Sequence, residues 1–161
     1  MSSGVHAPMS HLAPCALGSM GHASAIALGI ATAKPSKRVV CFDGDGAMLM
    51  HMGNLASVAA SGCTNFKHIL INNFVHDSVG AQPTQSGCMD IPAVAQALGY
   101  TWSAQVENEE ALDNAVAELL AHQDGPGLLE IRVRLGTRGN LGRPTTSPIQ
   151  NKLAFMDFLS S

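Results

Sequence analysis

Two clusters of polar side chains follow two apolar runs of the sequence, and their residue types suit the binding of a cation. The segment 43–46 (Asp-Gly-Asp-Gly) follows the run 39–42, and Asn72 and Asn73 follow the run 69–71. Both runs are rich in β-branched residues and predict strands. Because the carboxyl ends of parallel strands meet at one edge of a sheet, where ligands bind, a carboxylate and an amide oxygen would come together there. Magnesium is the natural ion, since it takes oxygen ligands and keeps phosphate oxygens in its shell.

The glycines of the first cluster predict a phosphate beside the cation. Gly44 and Gly46 let the backbone approach an anion closely. A helix predicted to begin near Ala47 would point its free N–H groups at that anion. Gly-Asp-Gly is also an ordinary turn, so this motif taken alone leaves a structural role open. The stretch between Gly46 and Asn72 has room for one helix and one strand, as a βαβ unit requires.

Alternating strand and helix patterns surround these clusters and would position them. The predicted strands are 39–42, 68–71, 102–106 and 128–133, and the predicted helices are 22–33, 47–60, 91–98, 109–121 with Asn108 as its cap, and about 148–159. Strands that alternate with helices favour an α/β fold, a doubly wound and mostly parallel sheet with helices on both faces. Segment 1–16 lacks any period and is predicted to be irregular, which leaves 17–161 as the domain.

The composition narrows the class of protein. The 161 residues suit one domain, and a net charge of -3 with nine Lys and Arg argues against a nucleic-acid partner. The four cysteines form no CxxC motif, which predicts free thiols in a reducing cytoplasm. The apolar run 23–30 has no Lys or Arg before it and is too short to span a bilayer, so neither a signal peptide nor a membrane span is expected.

Three longer stretches carry a resemblance to a known family. They are GSMGHASAIALGIA from Gly18, NNFVHDSVGAQPT from Asn72 and GRPTTSP from Gly142. Together with the GDG and NN signatures of thiamine diphosphate enzymes, they resemble the diphosphate-binding half of phosphonopyruvate decarboxylase. The resemblance runs from Leu17 to the C-terminus. Sulfopyruvate decarboxylase is a close relative and stays open as an alternative, as does another 2-oxo acid.

The resemblance implies a cofactor site that holds thiamine diphosphate and Mg²⁺. It implies that the side chains of Asp45 and Asn73 and the backbone carbonyl of Val75 bind the metal. It also implies contacts from Gly46 and Ala47 to the diphosphate. The Gly18 carbonyl would face the aminopyrimidine, and Met20 would hold the cofactor bent. The full set of implied cofactor-binding residues is Gly18, Ser19, Met20, Gly44, Asp45, Gly46, Ala47, Asn73 and Val75.

Further titratable residues are candidates for handling protons or binding substrate. His76 and Asp77 follow the metal loop and are the candidate catalytic residues, although a loop pair satisfied by backbone groups is equally compatible with the sequence. His22 could face the cofactor or pack on a helix surface, and His51 is expected to be structural. A guanidinium fork matches a phosphonate, so the arginines beyond the last strand could hold substrate or form a solvated edge; they are Arg132, Arg134, Arg138 and Arg143.

The family also implies a second chain segment. A pyrimidine-binding domain supplies the catalytic glutamate in such enzymes, and this sequence has no segment patterned as one. The chain is therefore expected to be one subunit or a truncated piece of an oligomeric decarboxylase that converts 3-phosphonopyruvate to phosphonoacetaldehyde. A non-catalytic cofactor-binding module is the other hypothesis. Phe74 and Ala81 stand where the family commonly has glycine, which predicts an altered loop turn and a weakened metal site.

Overall fold

The computed structural model of the chain describes residues 19–136, 139 and 145–160. Within these residues strands and helices alternate in the order α1 (Ala23–Ala33), β1 (Val39–Gly44), α2 (Asp45–Met50), α3 (Gly53–Ser61), β2 (Phe66–Asn72), β3 (Val75–His76), β4 (Gln82–Pro83), α4 (Ile91–Leu98), β5 (Trp102–Val106), α5 (Glu109–Ala121), β6 (Gly127–Arg132) and α6 (Pro148–Ser160). Two short 3₁₀ turns, Asp77–Val79 and Gln85–Cys88, flank β4.

Four of the strands form one parallel sheet, which confirms the predicted α/β class. Their order is β1-β2-β6-β5. In the register between the first two strands, Cys41 lies beside His68 and Gly44 beside Ile71. The carboxyl ends of β1 and β2 are therefore adjacent, as the sequence predicts. A separate antiparallel hairpin of β3 and β4, in which Val75 pairs with Pro83, follows β2 and was not predicted.

Helices cover both faces of the sheet because side chains alternate along each strand. On one face α1, α3 and α4 pack against the strands around Val58, Phe66 and Leu70. On the other face α5 packs through Leu119 against Leu129 and its neighbours. The predicted arrangement of helices on both faces is thus confirmed.

The helix predicted over 47–60 is wrong in two respects. It begins at Asp45, two residues earlier, and it is divided into α2 and α3. Between them His51 leaves the helical conformation, with φ −134° and ψ 45°. Gly53, a weak helix former, starts α3, and the bend lets the Asn54 amide donate to the Gly21 carbonyl oxygen at 3.3 Å.

The remaining bounds differ from the predictions by small shifts. β1 extends to Gly44 and therefore includes Asp43, while β2 begins at Phe66. Helix α5 is capped as predicted, because the Asn108 side chain accepts a hydrogen bond from the Ala111 N–H. The chain divides into two compact units, one of residues 19–136 and another that contains α6. The predicted boundary at 16/17 lies outside the described residues.

Candidate functional site

A cavity of about 440 Å³ opens at the carboxyl ends of β1 and β2. Most of the site residues predicted from the sequence line this cavity. They are Met20, Gly44, Asp45, Gly46, Ala47, Asn73, Val75, His76 and Asp77. Phe42, Asp43, Ile71 and Ser78 line it as well. Ser19 is exposed and is not among the lining residues, and Gly18 lies outside the described residues. Residues from two strand ends and one hairpin thus meet in a single cavity.

Asp45 contributes the most buried carboxylate of the cavity wall. It is the first residue of α2 and is 2% exposed. Its Oδ2 atom accepts hydrogen bonds from Thr84 Oγ1 at 2.5 Å and from Ser86 Oγ at 2.9 Å. Asp43 plays a different part, since its Oδ1 accepts from the Gly44 N–H at 3.1 Å and its Oδ2 faces His68. Of the two aspartates, Asp45 is the one suited to hold a cation.

The two asparagines after β2 have separate roles. Asn73 lines the cavity, and its Oδ1 accepts a hydrogen bond from the Val75 N–H at 3.2 Å. Asn72 is fully buried and lies in a polar network, where its amide donates to Glu130 Oε1 at 2.7 Å. Its Oδ1 accepts from the Phe74 N–H at 3.0 Å. Only the second asparagine therefore presents its side chain to the cavity.

The glycine at position 46 is required by the close approach of an imidazole. A Cβ atom added there would collide with the ring of His76. The Nδ1 atom of His76 is buried and has no hydrogen-bond partner among the described residues. Gly44 has open space where its Cβ would be. The first turn of α2 leaves N–H groups without helical acceptors, so this end of the cavity can receive an anion.

The predicted proton-handling pair lies at the hairpin. His76 ends β3, and Asp77 begins the 3₁₀ turn that follows. The histidine is partly buried and the aspartate is exposed. Both line the cavity, so they lie where a substrate could reach them.

Of the other residues predicted to have a role, those that the structure describes do not line the cavity. His22 and His51 are exposed and contact each other, with ring centroids 4.1 Å apart. Arg132 forms ion pairs with Glu107 at 2.8 Å and Glu130 at 3.1 Å. Arg134 is exposed, while Arg138 and Arg143 lie outside the described residues. The packing interpretation of His22 agrees with this placement.

Phe74 and Ala81, from which an altered loop turn is predicted, both adopt a backbone conformation that glycine favours. Phe74 has φ 64° and Ala81 has φ 58°, both in the left-handed region. Glycine is the residue that favours this region. The backbone thus has the conformation that glycine would permit, because the Ala81 N–H bonds to His76 O at 3.0 Å and the Thr84 N–H to Phe74 O at 2.9 Å.

A buried polar network behind the cavity was not identified from the sequence. Its members Asn72, Thr84, Ser86 and Glu130 are each no more than 9% exposed. Thr84 belongs to the Gln-Pro-Thr stretch that supports the resemblance, but it was assigned no role. The signal that could have identified Glu130 is a charged residue within an otherwise apolar strand sequence, because such a side chain is rarely buried without a partner.

A second buried cluster lies beneath α1 and α3. Cys41, Asp43 and His68 place their polar atoms within 4.8 Å of one another, and His68 Nδ1 lies 3.3 Å from the Tyr100 hydroxyl. Burial, followed by the charge of Asp43, raises the pKa of the Cys41 thiol to about 12. The thiol is therefore protonated at neutral pH, which makes it an unreactive core residue.

The comparisons with known proteins agree with this geometry. Residues 2–131 match the family model described as thiamine pyrophosphate enzyme, C-terminal TPP binding domain. The chain belongs to this family. The matched range contains all the cavity residues named above.

Several relatives of this thiamine diphosphate-binding domain are named decarboxylases. The chain is 40% identical over 90% of its length to phosphonopyruvate decarboxylase of Streptomyces viridochromogenes, and 42% identical over 88% to that of Streptomyces hygroscopicus. It is 36% identical over 73% of its length to a sulfopyruvate decarboxylase subunit beta of Methanococcus maripaludis, and it spans 62% of that subunit. It spans only 36% and 35% of the two Streptomyces proteins.

A solved structure shows the same fold. It is the X-ray structure of a protein described as a thiamin diphosphate-dependent enzyme from Mycobacterium smegmatis, with a TM-score of 0.64 and 22% identity. The match covers 74% of this chain and 23% of that one. Among the described helices, none is both long and apolar enough to cross a membrane.

Proposed function

We propose that this thiamine diphosphate-binding domain takes part in the Mg²⁺-dependent decarboxylation of 3-phosphonopyruvate to phosphonoacetaldehyde. In this proposal it acts together with a pyrimidine-binding partner domain or subunit. The observation that carries the proposal is the single cavity in which Asp45, Asn73 and Val75 meet the glycine-rich start of α2.

The residues present fit a magnesium diphosphate. Asp45 offers a buried carboxylate, Asn73 an amide oxygen and Val75 a backbone carbonyl, and Mg²⁺ favours such oxygen ligands. The open space beside Gly44 and the free N–H groups of the first turn of α2 would admit the diphosphate. Bound thiamine diphosphate supplies the electron sink that lets a 2-oxo acid lose carbon dioxide. Met20, which lines the cavity and is 42% exposed, would provide an apolar contact for the cofactor.

His76 and Asp77 are the candidates for moving protons in the reaction. The unpartnered Nδ1 atom of His76 lies against Gly46. An imidazole there lies within reach of a cofactor or substrate in the cavity and could accept or donate a proton. Asp77 would orient the substrate from the exposed rim of the cavity.

The substrate is proposed from the relatives. Identities of 40% and 42% to two phosphonopyruvate decarboxylases support 3-phosphonopyruvate. Sulfopyruvate is the second candidate, because the chain spans 62% of a sulfopyruvate decarboxylase beta subunit and so is closer to that subunit in extent. Both substrates join a 2-oxo acid to a tetrahedral anionic group.

The partner is proposed from the extent of the match. The chain corresponds to about a third of each Streptomyces relative, and other relatives are named as a beta subunit. Exposed apolar side chains at the cavity, Phe42 at 60% and Met20 at 42%, support a covering surface. The partner would supply the glutamate that the cofactor requires.

We expect thiamine diphosphate with Mg²⁺ to bind tightly only when a partner is added, for example the part of the Streptomyces viridochromogenes relative that this chain does not match. Asp45→Ala should weaken binding more than about 100-fold, because even the loss of a group that supports a metal ligand costs about 10–100-fold. Titration calorimetry measures the dissociation constant of thiamine diphosphate with and without the partner, and for the unmodified chain and the Asp45→Ala variant.

Asp113→Ala, at an exposed position of α5, is the matched control and should bind as the unmodified chain does. Carbon dioxide release from 3-phosphonopyruvate and from sulfopyruvate then separates the two substrates. Binding without turnover of either would favour a non-catalytic cofactor-binding module. Absence of binding with and without the partner would contradict the proposal.

A further inference from the structure

Two hydroxyl groups converge on one oxygen of the Asp45 carboxylate. Thr84 Oγ1 lies 2.5 Å and Ser86 Oγ 2.9 Å from Asp45 Oδ2. Asp45 is 2% exposed, Ser86 is fully buried and Thr84 is 9% exposed. Among the described residues, no hydrogen bond to the other oxygen, Oδ1, accompanies these two. The carboxylate is thus held asymmetrically.

The available protons support donation from both hydroxyls to this carboxylate. Each hydroxyl has one proton to donate, and an ionised carboxylate only accepts. The two hydroxyl oxygens also lie 2.8 Å apart, but each proton forms a stronger hydrogen bond with the charged carboxylate than with the neutral oxygen of the other hydroxyl. Ser86 Oγ also lies 3.0 Å from Asn72 Oδ1, but that oxygen already accepts from the Phe74 N–H. A charged acceptor forms the stronger hydrogen bond, so the Ser86 proton goes to Asp45 Oδ2.

Both donors are held in place from the neighbouring elements. The Thr84 N–H bonds to Phe74 O at 2.9 Å, which ties the threonine to the hairpin. Ser86 contacts Asn72, whose amide donates to Glu130 Oε1 on β6 at 2.7 Å. Arg132 Nε donates to the same Glu130 oxygen at 3.1 Å. The two hydroxyls are therefore fixed relative to the sheet.

We propose that Thr84 and Ser86 are positioning residues that reserve Oδ2 of Asp45 for the protein and leave only Oδ1 to the cation, which favours Mg²⁺ over Ca²⁺. This inference rests on the proposed function. A carboxylate that offers one oxygen suits the six-coordinate shell of Mg²⁺, whereas Ca²⁺ takes six to eight ligands and readily binds a carboxylate through both oxygens. The two hydroxyls thus select the ion as well as orient its ligand.

The test removes one hydroxyl group at a time and measures how the choice of cation changes. Thr84→Val removes the donor, Thr84→Ser keeps it, and Ser86→Ala removes the second donor. The full chain with its partner is titrated with thiamine diphosphate in the presence of Mg²⁺ or of Ca²⁺. The measured quantity is the ratio of the two dissociation constants, and thermal melting of each variant reports its folding.

We expect Thr84→Val to weaken binding with Mg²⁺ by about 10–100-fold and to weaken binding with Ca²⁺ less, so that the preference for Mg²⁺ narrows. Ser86→Ala should also narrow the preference for Mg²⁺ over Ca²⁺. Thr84→Ser, which keeps the hydroxyl, should keep the preference of the unmodified chain. Thr32→Val, which removes a hydroxyl on α1 that donates to Leu28 O, should leave the preference unchanged.

A purely structural role would lower the melting temperature and leave the Mg²⁺ to Ca²⁺ ratio as it is in the unmodified chain. That result, or a Thr84→Ser variant that behaves like Thr84→Val, overturns the inference while the proposed function stands. If the unmodified chain with its partner binds the cofactor with neither ion, the proposed function fails and the inference fails with it. If Thr84→Val does not fold, the ratio of the dissociation constants with Mg²⁺ and Ca²⁺ is measured for Ser86→Ala instead, and an unchanged ratio there overturns the inference.

Discussion

At the scale of single residues, the loop after the second strand stores backbone strain at two positions. Phe74 and Ala81 have φ of 64° and 58°. For a residue with a Cβ atom, the left-handed conformation costs about 1–2 kcal/mol. Phe74 gains a compensating contact, since the Arg132 guanidinium lies 5.5 Å from its ring centroid. Ala81 is exposed and has only a methyl group to offer in compensation.

Ala81→Gly should therefore stabilise the protein. Glycine removes the left-handed cost but loses about 0.5–1 kcal/mol through its greater freedom in the unfolded chain. The expected net gain is about 0.5–1 kcal/mol in the free energy of unfolding, which the midpoint of urea denaturation measures.

Ala117→Gly is the matched control, because Ala117 is exposed within helix α5. There the same change should destabilise by about 1 kcal/mol. A destabilised Ala81→Gly variant would show that the turn carries no strain.

At the scale of elements, the interface between the sheet and its covering helices contains two buried weak acids. Cys41 and Tyr100 are each 4% exposed. Burial, followed by the charges of Cys41 and Asp43, raises the pKa of the Tyr100 hydroxyl above its usual value of 10.0. Burial likewise raises the pKa of the Cys41 thiol from 9.0 to about 12. Both groups therefore favour their neutral forms in the folded protein.

Stability should fall as the pH rises above about 9. In that range the unfolded chain releases the Cys41 and Tyr100 protons while the folded chain retains them. The unfolded state then binds fewer protons, so the free energy of unfolding decreases with pH. Each group contributes a slope of at most about 1.4 kcal/mol per pH unit, and urea denaturation at several pH values measures the sum.

Cys41→Ala should reduce this slope between pH 9 and pH 10, where the thiol of the unfolded chain titrates. Cys63→Ala is the control, because Cys63 is only partly buried and its removal should leave the slope unchanged. If the free energy of unfolding falls equally with pH in the unmodified chain, Cys41→Ala and Cys63→Ala, the Cys41 thiol does not cause the loss of stability at high pH.

At the scale of the whole molecule, exposed apolar side chains surround the open cavity. Phe42 lines the cavity from β1 and is 60% exposed, and Val79, next to the lining residue Ser78, is 64% exposed. Charged residues make up only 13% of the sequence. Interfaces concentrate aromatic and apolar side chains and contain few charges. The cavity rim is therefore where we place the proposed partner.

Phe42→Ser should weaken association with that partner by at least about 10-fold, because a central aromatic side chain often contributes 2 kcal/mol or more to an interface. The isolated chain should keep its stability to within about 0.5 kcal/mol, as exposed positions usually do. Sedimentation velocity on mixtures of the two chains measures the association.

Leu98→Ser is the control, since Leu98 is 39% exposed at the end of α4 and does not line the cavity. It should leave the association unchanged. Equal weakening by both substitutions would place the partner elsewhere.

The sequence by itself determined the fold class and the meeting place of the candidate site residues. Alternating strand and helix patterns predict a parallel sheet, and the carboxyl ends of such strands must share one edge. Asp45 and Asn73 follow two neighbouring strands, so their arrival in one cavity follows from local pattern alone. The resemblance extended this to Met20 and Val75, which line the same cavity.

Only the tertiary structure decided how Asp45 is held. The hydroxyls of Thr84 and Ser86 lie 39 and 41 residues further along the chain, and Glu130 lies 58 residues beyond Asn72. Hydrogen bonds between such distant side chains leave no periodicity in the sequence, because they depend on how the hairpin and β6 pack beside β2. The division of α2 from α3 was likewise seen only in the tertiary structure, where the bend brings the Asn54 amide within hydrogen-bond distance of the Gly21 carbonyl oxygen.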